Sequence, residues 1–435
     1  MAERLVSAGV RQAGDPESAD VVIVNTCGFI GEAERESLEA LETFAGGKRP
    51  GQKLVAAGCL SERRGAELFA ALPSIDALIG TKRWHEIGDL VRVLDRDERP
   101  TFLGPAVRPA PALRRLAAGT HAYVKIADGC NMTCSFCTIP SFKGKQSSKS
   151  VDGILDELAT LARRGVREAV LIAQELGSYG VDLGGESDLL GLLRAIDRSE
   201  GPEWIRLMYL YPTALSRRLL DFMVGSPRIC NYLDVPVQHS APAVLRRMRR
   251  PPASAAIADP IHWVREDCPD FAFRTTIIVG FPGETGEEFS HLLDFVREAE
   301  FDHLGVFTYS REEGTPAAGL ADQVDEGLKR ERYDAIMTAQ QEVALKRRRA
   351  KVGRELEVLV EETLERPARG IYRAIGRSRS EAPDVDGDVF LSGSVEEGEI
   401  VRATVVRAEP YDLFAEIVPA AKRTSGSVPA ASRRS

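Results

Sequence analysis

The sequence predicts an α/β protein with three units: an N-terminal parallel α/β sheet, a central partial (βα)6 barrel and a small C-terminal β-barrel. Apolar runs of strand length alternate with helical patterns, which is typical of parallel sheets covered by helices. Six such alternations follow one another in the central stretch, which favours a barrel of parallel strands over a flat sheet. Short β-rich segments without helices between them complete the chain, and they indicate a small all-β barrel.

The N-terminal unit is predicted at residues 1–96. Strands are expected at Asp20–Asn25 and Lys53–Gly58, with a weaker third at Ile75–Gly80, and a helical pattern follows each of them. This alternation predicts a parallel sheet with helices against it. Residues 97–115 are rich in Pro and Arg and are predicted to be a linker.

The central unit is predicted at residues 116–349. Its six candidate strands are Ala122–Ala127, Glu168–Ala173, Ile205–Leu210, Tyr232–Val237, Phe273–Gly280 and His303–Tyr309. The highly charged stretch Gln323–Val352 is expected to form a long helix. The small β-barrel then spans 350–418, and the Ala-, Ser- and Arg-rich residues 419–435 are expected to be a disordered tail.

Composition limits the class of protein. No apolar run reaches the roughly 18 residues that a membrane span needs, and the N-terminus carries no signal pattern. The 7 cysteines are odd in number and unevenly spread, so a disulfide framework is not expected. A cytoplasmic protein without a membrane partner is therefore expected. The net charge of −8 argues against binding of polyanions by the whole surface.

Three cysteines, Cys130, Cys134 and Cys137, form the strongest motif in the sequence. Three thiolates suit a four-iron cluster, which normally takes four, and one iron would then stay open to an outside ligand. The triplet follows the first candidate barrel strand, which places it at the carboxyl end where barrel enzymes hold their chemistry. The alternative is a zinc site completed by Cys230, Cys268 or a His.

Two further cysteines, Cys27 and Cys59, each come directly after a candidate strand of the N-terminal unit. The carboxyl ends of parallel strands meet at one edge of a sheet, so both thiols are expected at the same edge, where α/β folds bind ligands. The alternative is that both are ordinary buried cysteines. Cys230 and Cys268 are predicted to be structural thiols, and His239 suits a packed polar residue as well as a catalytic one.

The triplet spacing resembles the signature of the radical S-adenosylmethionine (SAM) enzymes. Together with Cys27 and Cys59, the sequence resembles the methylthiotransferases of that superfamily, and the C-terminal barrel resembles their TRAM domain. The likeness extends to about Val418. It is carried further by Tyr232–His239, Arg246–Pro251, Ile277–Phe289 and Tyr309–Ala317.

The resemblance implies cofactors and a mechanism. Cys130, Cys134 and Cys137 would hold a [4Fe-4S] cluster that binds SAM, and an electron from a donor protein would release a deoxyadenosyl radical. An auxiliary [4Fe-4S] cluster, with Cys27 and Cys59 among its ligands, would provide sulfur, and a second SAM would provide the methyl group. The implied partners are therefore an electron donor and a substrate macromolecule.

The family acts on two kinds of substrate, and the C-terminal barrel helps to choose between them. Residues 352–418 contain 8 Arg and no Lys against 15 Asp and Glu, a net charge of −7. Such a module would repel nucleic acid and suit a basic ribosomal protein, unless these carboxylates are merely solvated. Ile375–Leu391 and Glu409–Val418 resemble the branch that modifies the β-carbon of an aspartyl residue in small-subunit ribosomal protein S twelve. Direct specificity for nucleic acid is not expected.

Two other functions stay open. One is a methylthiotransferase that acts on an adenosine of transfer RNA. The other is a metal-binding scaffold that associates with ribosomes and does no chemistry. The scaffold is considered because relatives carry a third N-terminal cysteine, on a loop after an opening strand, which Met1–Val10 does not match. That first stretch predicts a helix, so the sheet is expected to lack its first strand, and Met1 is expected not to be the start of the functional protein.

Overall fold

The structure is a computed structural model that describes residues 1–96, 98–106, 119–184, 188–251, 257, 259–369 and 371–419. Most of the predicted linker at 97–115 and nearly all of the predicted tail at 419–435 lie outside these residues. Within the described residues, no helix has both the length and the apolar character that crossing a bilayer requires.

The N-terminal unit is a parallel sheet with helices on both faces. Its strands lie in the order β1 (Val21–Thr26), β2 (Lys53–Gly58), β3 (Ala77–Gly80) and β4 (Thr101–Phe102). Two apolar clusters, one on each face, bury the sheet. The helices are α1 (Ala2–Ser7), α2 (Gly31–Gly46), α3 (Cys59–Arg64), α4 (Ala66–Ala71) and α5 (Ile87–Val93).

Strand β4 corrects one expectation, because it lies in the segment that was predicted to be a linker. It pairs with β3 in parallel, and the amide of Leu78 donates to the carbonyl of Pro100 at 3.1 Å. The guanidinium of Arg83 also lies 4.4 Å from the centre of the Phe102 ring. A strand of two residues is too short for an alternating pattern, so the sequence does not reveal it.

The central unit contains six parallel strands in one sheet, as the sequence predicts. From one edge to the other they are β12 (His303–Thr308), β11 (Ala272–Val279), β10 (Ile229–Asp234), β9 (Trp204–Leu207), β8 (Glu168–Ile172) and β5 (His121–Lys125). A small hairpin, β6 (Ala127–Asp128) with β7 (Ser147–Ser148), flanks β5. The helices are α6 (Ile139–Lys143), α7 (Val151–Arg163), α8 (Leu189–Asp197), α9 (Arg217–Gly225), α10 (Pro242–Arg247), α11 (Asp259–Asp267), α12 (Gly286–Ala299) and α13 (Glu326–Arg349).

The C-terminal unit is a closed barrel of five strands. They run around it in the order β13 (Glu355–Ala368), β14 (Tyr372–Ser378), β15 (Val389–Ser392), β17 (Leu413–Ile417) and β16 (Ile400–Ala408). Residues that alternate along these strands fill its interior with small and branched apolar side chains. All five strands coincide with β-rich segments of the sequence.

The C-terminal barrel closes one end of the central sheet. Tyr123, Trp204 and Tyr232 point into the concave side of the sheet and pack against Leu359 and Ala382 of the C-terminal barrel. These contacts involve the amino-terminal ends of the strands, which we call the base. The carboxyl ends, which we call the mouth, remain available for a site.

The base also buries charged side chains, and each has partners. Arg206 donates from Nε to Glu168 at 2.5 Å, and Arg377 of the C-terminal barrel donates to the other oxygen of Glu168 at 2.7 Å. Arg377 also binds Glu361, and Asp386 binds both Arg274 and His303. Because both units contribute to this network, the C-terminal barrel is fixed to the base.

Candidate active site: a cysteine-lined cavity at the mouth

The cysteine triplet lies on a loop between β6 and α6, at the mouth. The amide of Cys130 donates to the carbonyl of Gly144 at 3.1 Å, and the hydroxyl of Ser135 donates to the carbonyl of Arg247 at 2.8 Å. Gly129 has a φ of +79°, and an added Cβ would lie 2.3 Å from the carbonyl oxygen of Lys145. Only glycine fits there, so the loop passes close to its neighbour and presents the thiols.

A cavity of about 460 Å³ opens beside the three thiols. Its walls come from the carboxyl ends of the central strands and from Phe29 of the N-terminal unit. The strand-end residues include Gln174, Tyr209, Gln238, Thr276 and Phe307. A larger cleft of about 740 Å³ lies at the base, but no cysteine lines it, so the mouth is the better candidate for metal chemistry.

Two residues of the cavity wall hold backbone conformations that side chains rarely adopt. Tyr209 has a φ of +64° and Gln238 a φ of +70°. Gln238 is held there because its amide donates to Thr276 and its carbonyl accepts from Ile278, both at 2.8 Å. Strain of this kind is typical of ligand sites. Gln238 lies in the stretch Tyr232–His239, which carries the resemblance, whereas the sequence gives no signal for Tyr209.

Two residues of the cavity wall have buried side-chain oxygens without a hydrogen-bond partner among the described residues. The side-chain oxygens Oε1 of Gln174 and Gln238 are buried, and no described residue donates a hydrogen bond to either. Buried amide oxygens are normally satisfied. Unpaired oxygens of this kind beside a cavity favour a ligand that carries hydrogen-bond donors.

Burial and a neighbouring cation have opposite effects on the thiols of the triplet. Burial raises the pKa of Cys130, and it raises the pKa of Cys137 to about 12. Arg250 supplies positive charge, with Nη1 at 3.9 Å from the sulfur of Cys134. No three His, Cys, Asp or Glu side chains of the described residues are gathered as around a single ion. A four-iron cluster needs wider spacing, because each thiolate binds a different iron.

The zinc alternative requires a fourth ligand at the mouth, and the two spare cysteines lie elsewhere. Cys230 is buried at the base on β10. Cys268 lies between α11 and the start of β11 and accepts a hydrogen bond from Asn231 at 3.3 Å. Both therefore lie at the opposite end of the central sheet from the triplet.

His239 packs in the wall of the barrel. Its side chain is fully buried, and Nδ1 accepts a hydrogen bond from the amide of Ala241 at 2.9 Å. Burial lowers the pKa of His239 to about 3, so the ring is neutral. It does not line the cavity, which favours the packed polar alternative.

Cys27 and Cys59 lie side by side at one edge of the N-terminal sheet. Thr26 and Gly58, which precede them, are paired in register on β1 and β2. Burial raises the pKa of Cys59, Lys143 opposes that rise, and Cys27 adds to it. The buried oxygens Ser61 Oγ, Glu62 Oε2 and Thr81 Oγ1 nearby have no hydrogen-bond partner among the described residues. Two thiols are an incomplete ligand set for a four-iron cluster.

This sheet edge faces the mouth. Phe29 lines the cavity, and its carbonyl accepts a hydrogen bond from Thr138 of the triplet loop at 3.4 Å. Glu312 of the central unit accepts from the amide of Gly31 at 2.7 Å and pairs with Arg63 at 3.2 Å. The structure therefore brings the two sets of cysteines to adjoining positions.

The sequence matches three known families, one in each unit. Residues 124–296 match the radical SAM superfamily, residues 1–80 match uncharacterized protein family UPF0004, and residues 352–418 match the TRAM domain.

Curated relatives match nearly the whole length of the chain. A protein of Roseiflexus sp. (strain RS-1) is 44% identical over 97% of this chain and 94% of its own length, and one of Chloroflexus aurantiacus is 43% identical over 95% and 94%. A protein of Geobacter sulfurreducens is 42% identical over 93% and 91%. All three are named ribosomal protein uS12 methylthiotransferase RimO.

Among solved structures, the radical SAM methyltransferase TsrM of Kitasatospora setae is similar in fold. Its TM-score is 0.53 at 14% identity, and the match covers 72% of this chain and 65% of that one. TsrM was solved with cobalamin and a [4Fe-4S] cluster bound.

Proposed function

The chain belongs to the RimO family of radical SAM methylthiotransferases, and from that premise we propose that it methylthiolates the β-carbon of an aspartyl residue in ribosomal protein uS12. Membership of the superfamily implies a [4Fe-4S] cluster and SAM as cofactors. One observation carries the proposal: three thiols line a cavity that adjoins the edge bearing Cys27 and Cys59.

Cys130, Cys134 and Cys137 hold the cluster in this proposal. When bound, the cluster supplies the electron that breaks a carbon–sulfur bond of SAM. The residues of the chain provide binding and orientation: Gln174 and Gln238 offer free amide oxygens to donors of SAM, and Arg250 adds positive charge beside the thiolates. Phe29 and Phe307 add partly exposed aromatic surface to the cavity wall, against which a substrate can pack.

Cys27 and Cys59 are proposed as the two ligands that this chain contributes to an auxiliary cluster. Their place beside the mouth supports a role in sulfur delivery. Two thiols do not complete the ligand set of that cluster, which normally takes more protein ligands. The units proposed to carry these roles are residues 1–96, 116–349 and 350–418.

The proposed partners are uS12, free or in the ribosome, and an electron donor. The acidic C-terminal barrel supports a basic protein partner over transfer RNA, because like charges repel. Among the described residues, no contact favours a nucleic-acid substrate or a scaffold without chemistry.

The test is anaerobic incubation of the reconstituted protein with SAM, reductant, sulfide and uS12, followed by mass spectrometry of uS12. We expect a methylthio group on one aspartyl residue. Transfer RNA is treated in parallel as the control substrate. Modification of transfer RNA with none on uS12 would overturn the proposal.

A further inference from the structure

Two lysines share one aspartate at the mouth. Lys125 ends β5, Asp128 ends β6, and Lys143 ends α6. The ammonium of Lys125 lies 3.2 Å from Oδ2 of Asp128, and that of Lys143 lies 3.1 Å from Oδ1. Lys143 is largely covered, with 11% of its side chain exposed, so its charge is not simply solvated.

The group lies between the cavity and the edge that bears Cys27 and Cys59. Lys125 shares the concave side of the sheet with Tyr123, since side chains alternate along a strand. It is in register with Ile172, and the next two residues, Ala173 and Gln174, line the cavity. On the other side, the charges of Lys143, Asp128 and Lys125 all act on the thiol of Cys59.

The charges in this group do not cancel. Two ammonium groups, with three donors each, share a single carboxylate. Glu62 is a second carboxyl within electrostatic range of Lys143, but Lys82 and Arg83 act on it as well. Lys149 differs, because it has its own partner, Glu157, at 2.8 Å. A surplus positive charge in a partly buried place favours binding of one more carboxylate.

We propose that Lys125 and Lys143 bind the side-chain carboxylate of the target aspartyl residue and thereby select aspartate over asparagine. The inference rests on the proposed function, in which the β-carbon reacts. That carbon is bonded directly to the carboxylate carbon, so anchoring the carboxylate also fixes the reacting carbon. The two lysines are therefore positioning residues, which lie between the β8 end that carries Ala173 and Gln174 of the cavity wall and the thiol of Cys59.

The test measures the affinity of the reconstituted enzyme, with SAM bound, for uS12 and for uS12 whose target aspartate is changed to asparagine. We expect the unchanged enzyme to prefer the aspartate form by roughly tenfold, as for a hydrogen bond to a charged group. Lys143→Met and Lys125→Met should each reduce this preference to about threefold or less, by losing one of the two cations.

Two variants serve as controls. Lys143→Arg keeps the charge and should retain most of the preference. Lys145→Met removes an exposed lysine from the same loop and should leave the preference unchanged. Iron content and the visible spectrum check that each variant still binds its cluster.

The outcomes separate the two proposals. If the unchanged enzyme neither binds nor modifies either form of uS12, the proposed function is wrong. A preference for aspartate that survives in both Lys→Met variants would overturn the role of the lysines and leave the proposed function standing. If the Lys→Met variants bind both forms of uS12 more weakly by the same factor, the preference for aspartate is unchanged. That result would also overturn the role of the lysines, because they would then act only through the overall charge of the enzyme.

Discussion

Strand β8 runs from the base to the mouth of the central sheet. The polar side chains at its two ends differ in whether their oxygens have hydrogen-bond partners. At the base, both carboxylate oxygens of Glu168 are bound, one by Arg206 and one by Arg377. Just past the other end of the strand, the side-chain oxygen of Gln174 is buried without a partner in the described residues. Buried polar groups are normally paired, so the bound Glu168 fixes the base, whereas the unpaired Gln174 marks the mouth as a place for a ligand. Along this strand, the base serves architecture and the mouth serves chemistry.

The largest effect is expected at the mouth. Changing Cys130, Cys134 and Cys137 together to Ala should abolish reductive cleavage of SAM, because a cluster with one open iron has no spare protein ligands. The fold should persist, since the base and the apolar core are untouched. Deoxyadenosine formation and circular dichroism measure the two properties. Deoxyadenosine release by the triple variant would contradict the site assignment.

The next effect is expected at the base, on stability. Arg377→Met leaves Glu168 and Glu361 without one of their buried cations, and we expect the free energy of unfolding to fall by about 3–5 kcal/mol. Cleavage of SAM should continue in the folded fraction. Chemical denaturation measures the loss.

A matched control for this prediction is Arg402→Met, which removes an exposed pair with Glu355. It should change the free energy of unfolding by less than about 1 kcal/mol. If the two variants lose equal stability, burial of the network at the base has no special importance.

The charged network at the base should also affect how the free energy of unfolding changes at acidic pH. Burial favours the neutral form of Glu361, but hydrogen bonds from His121 and Arg377 outweigh it and hold its pKa at about 2, below the ordinary 4.5. The stabilisation is therefore complete above pH 4.5 and is lost as the pH falls toward 2. Glu361→Gln should flatten the dependence of unfolding on pH in this range. The exposed change Glu396→Gln should leave it as it is, and equal slopes in all three proteins would contradict the prediction.

The smallest effect concerns the outer surface of the C-terminal barrel. Glu396, Glu397 and Glu399 are exposed between β15 and β16, and changing all three to Lys alters the local charge from −7 to −1. Affinity for uS12 should fall by a few-fold at low salt, and the difference should vanish at high salt.

The same reversal on α2, at Glu36, Glu39 and Glu42, is the control for net charge. It should weaken binding less than the change on the C-terminal barrel. If the two triple changes weaken binding of uS12 equally, the C-terminal barrel is not a docking surface. Its role is then limited to closing the base of the central sheet.

Much of the fold follows from local patterns in the sequence. Predicted strand Phe273–Gly280 differs by one residue from β11, because eight residues with buried alternation are a strong signal. The triplet was found from spacing alone, and its role as cluster ligand stays a prediction. Cys27 and Cys59 were expected at one sheet edge, and the paired register of β1 and β2 places them there.

The rest depends on contacts between distant residues. Glu168 and Arg377 are 209 residues apart, and neither position has a local pattern that indicates a buried pair. Tyr209 carries its unusual φ because the surrounding fold imposes it. Lys125 and Lys143 meet only because the loop after β6 returns toward its start. Contacts between residues that are distant in sequence leave no motif among neighbouring residues, so the sequence does not predict them.

The pairing of Glu168 with Arg377 has a consequence for the order of events during synthesis. Ribosomes add roughly 5–20 residues per second, so Arg377, 209 positions after Glu168, emerges roughly 10–40 seconds later. Once the last central strand, β12, has been made, the base of the central sheet still lacks both the apolar cover of Leu359 and the second cation of Glu168. The last unit to be synthesised thus completes the interior of the middle one, and a nascent chain that stalls before Arg377 exposes an open, charged base to chaperones and proteases.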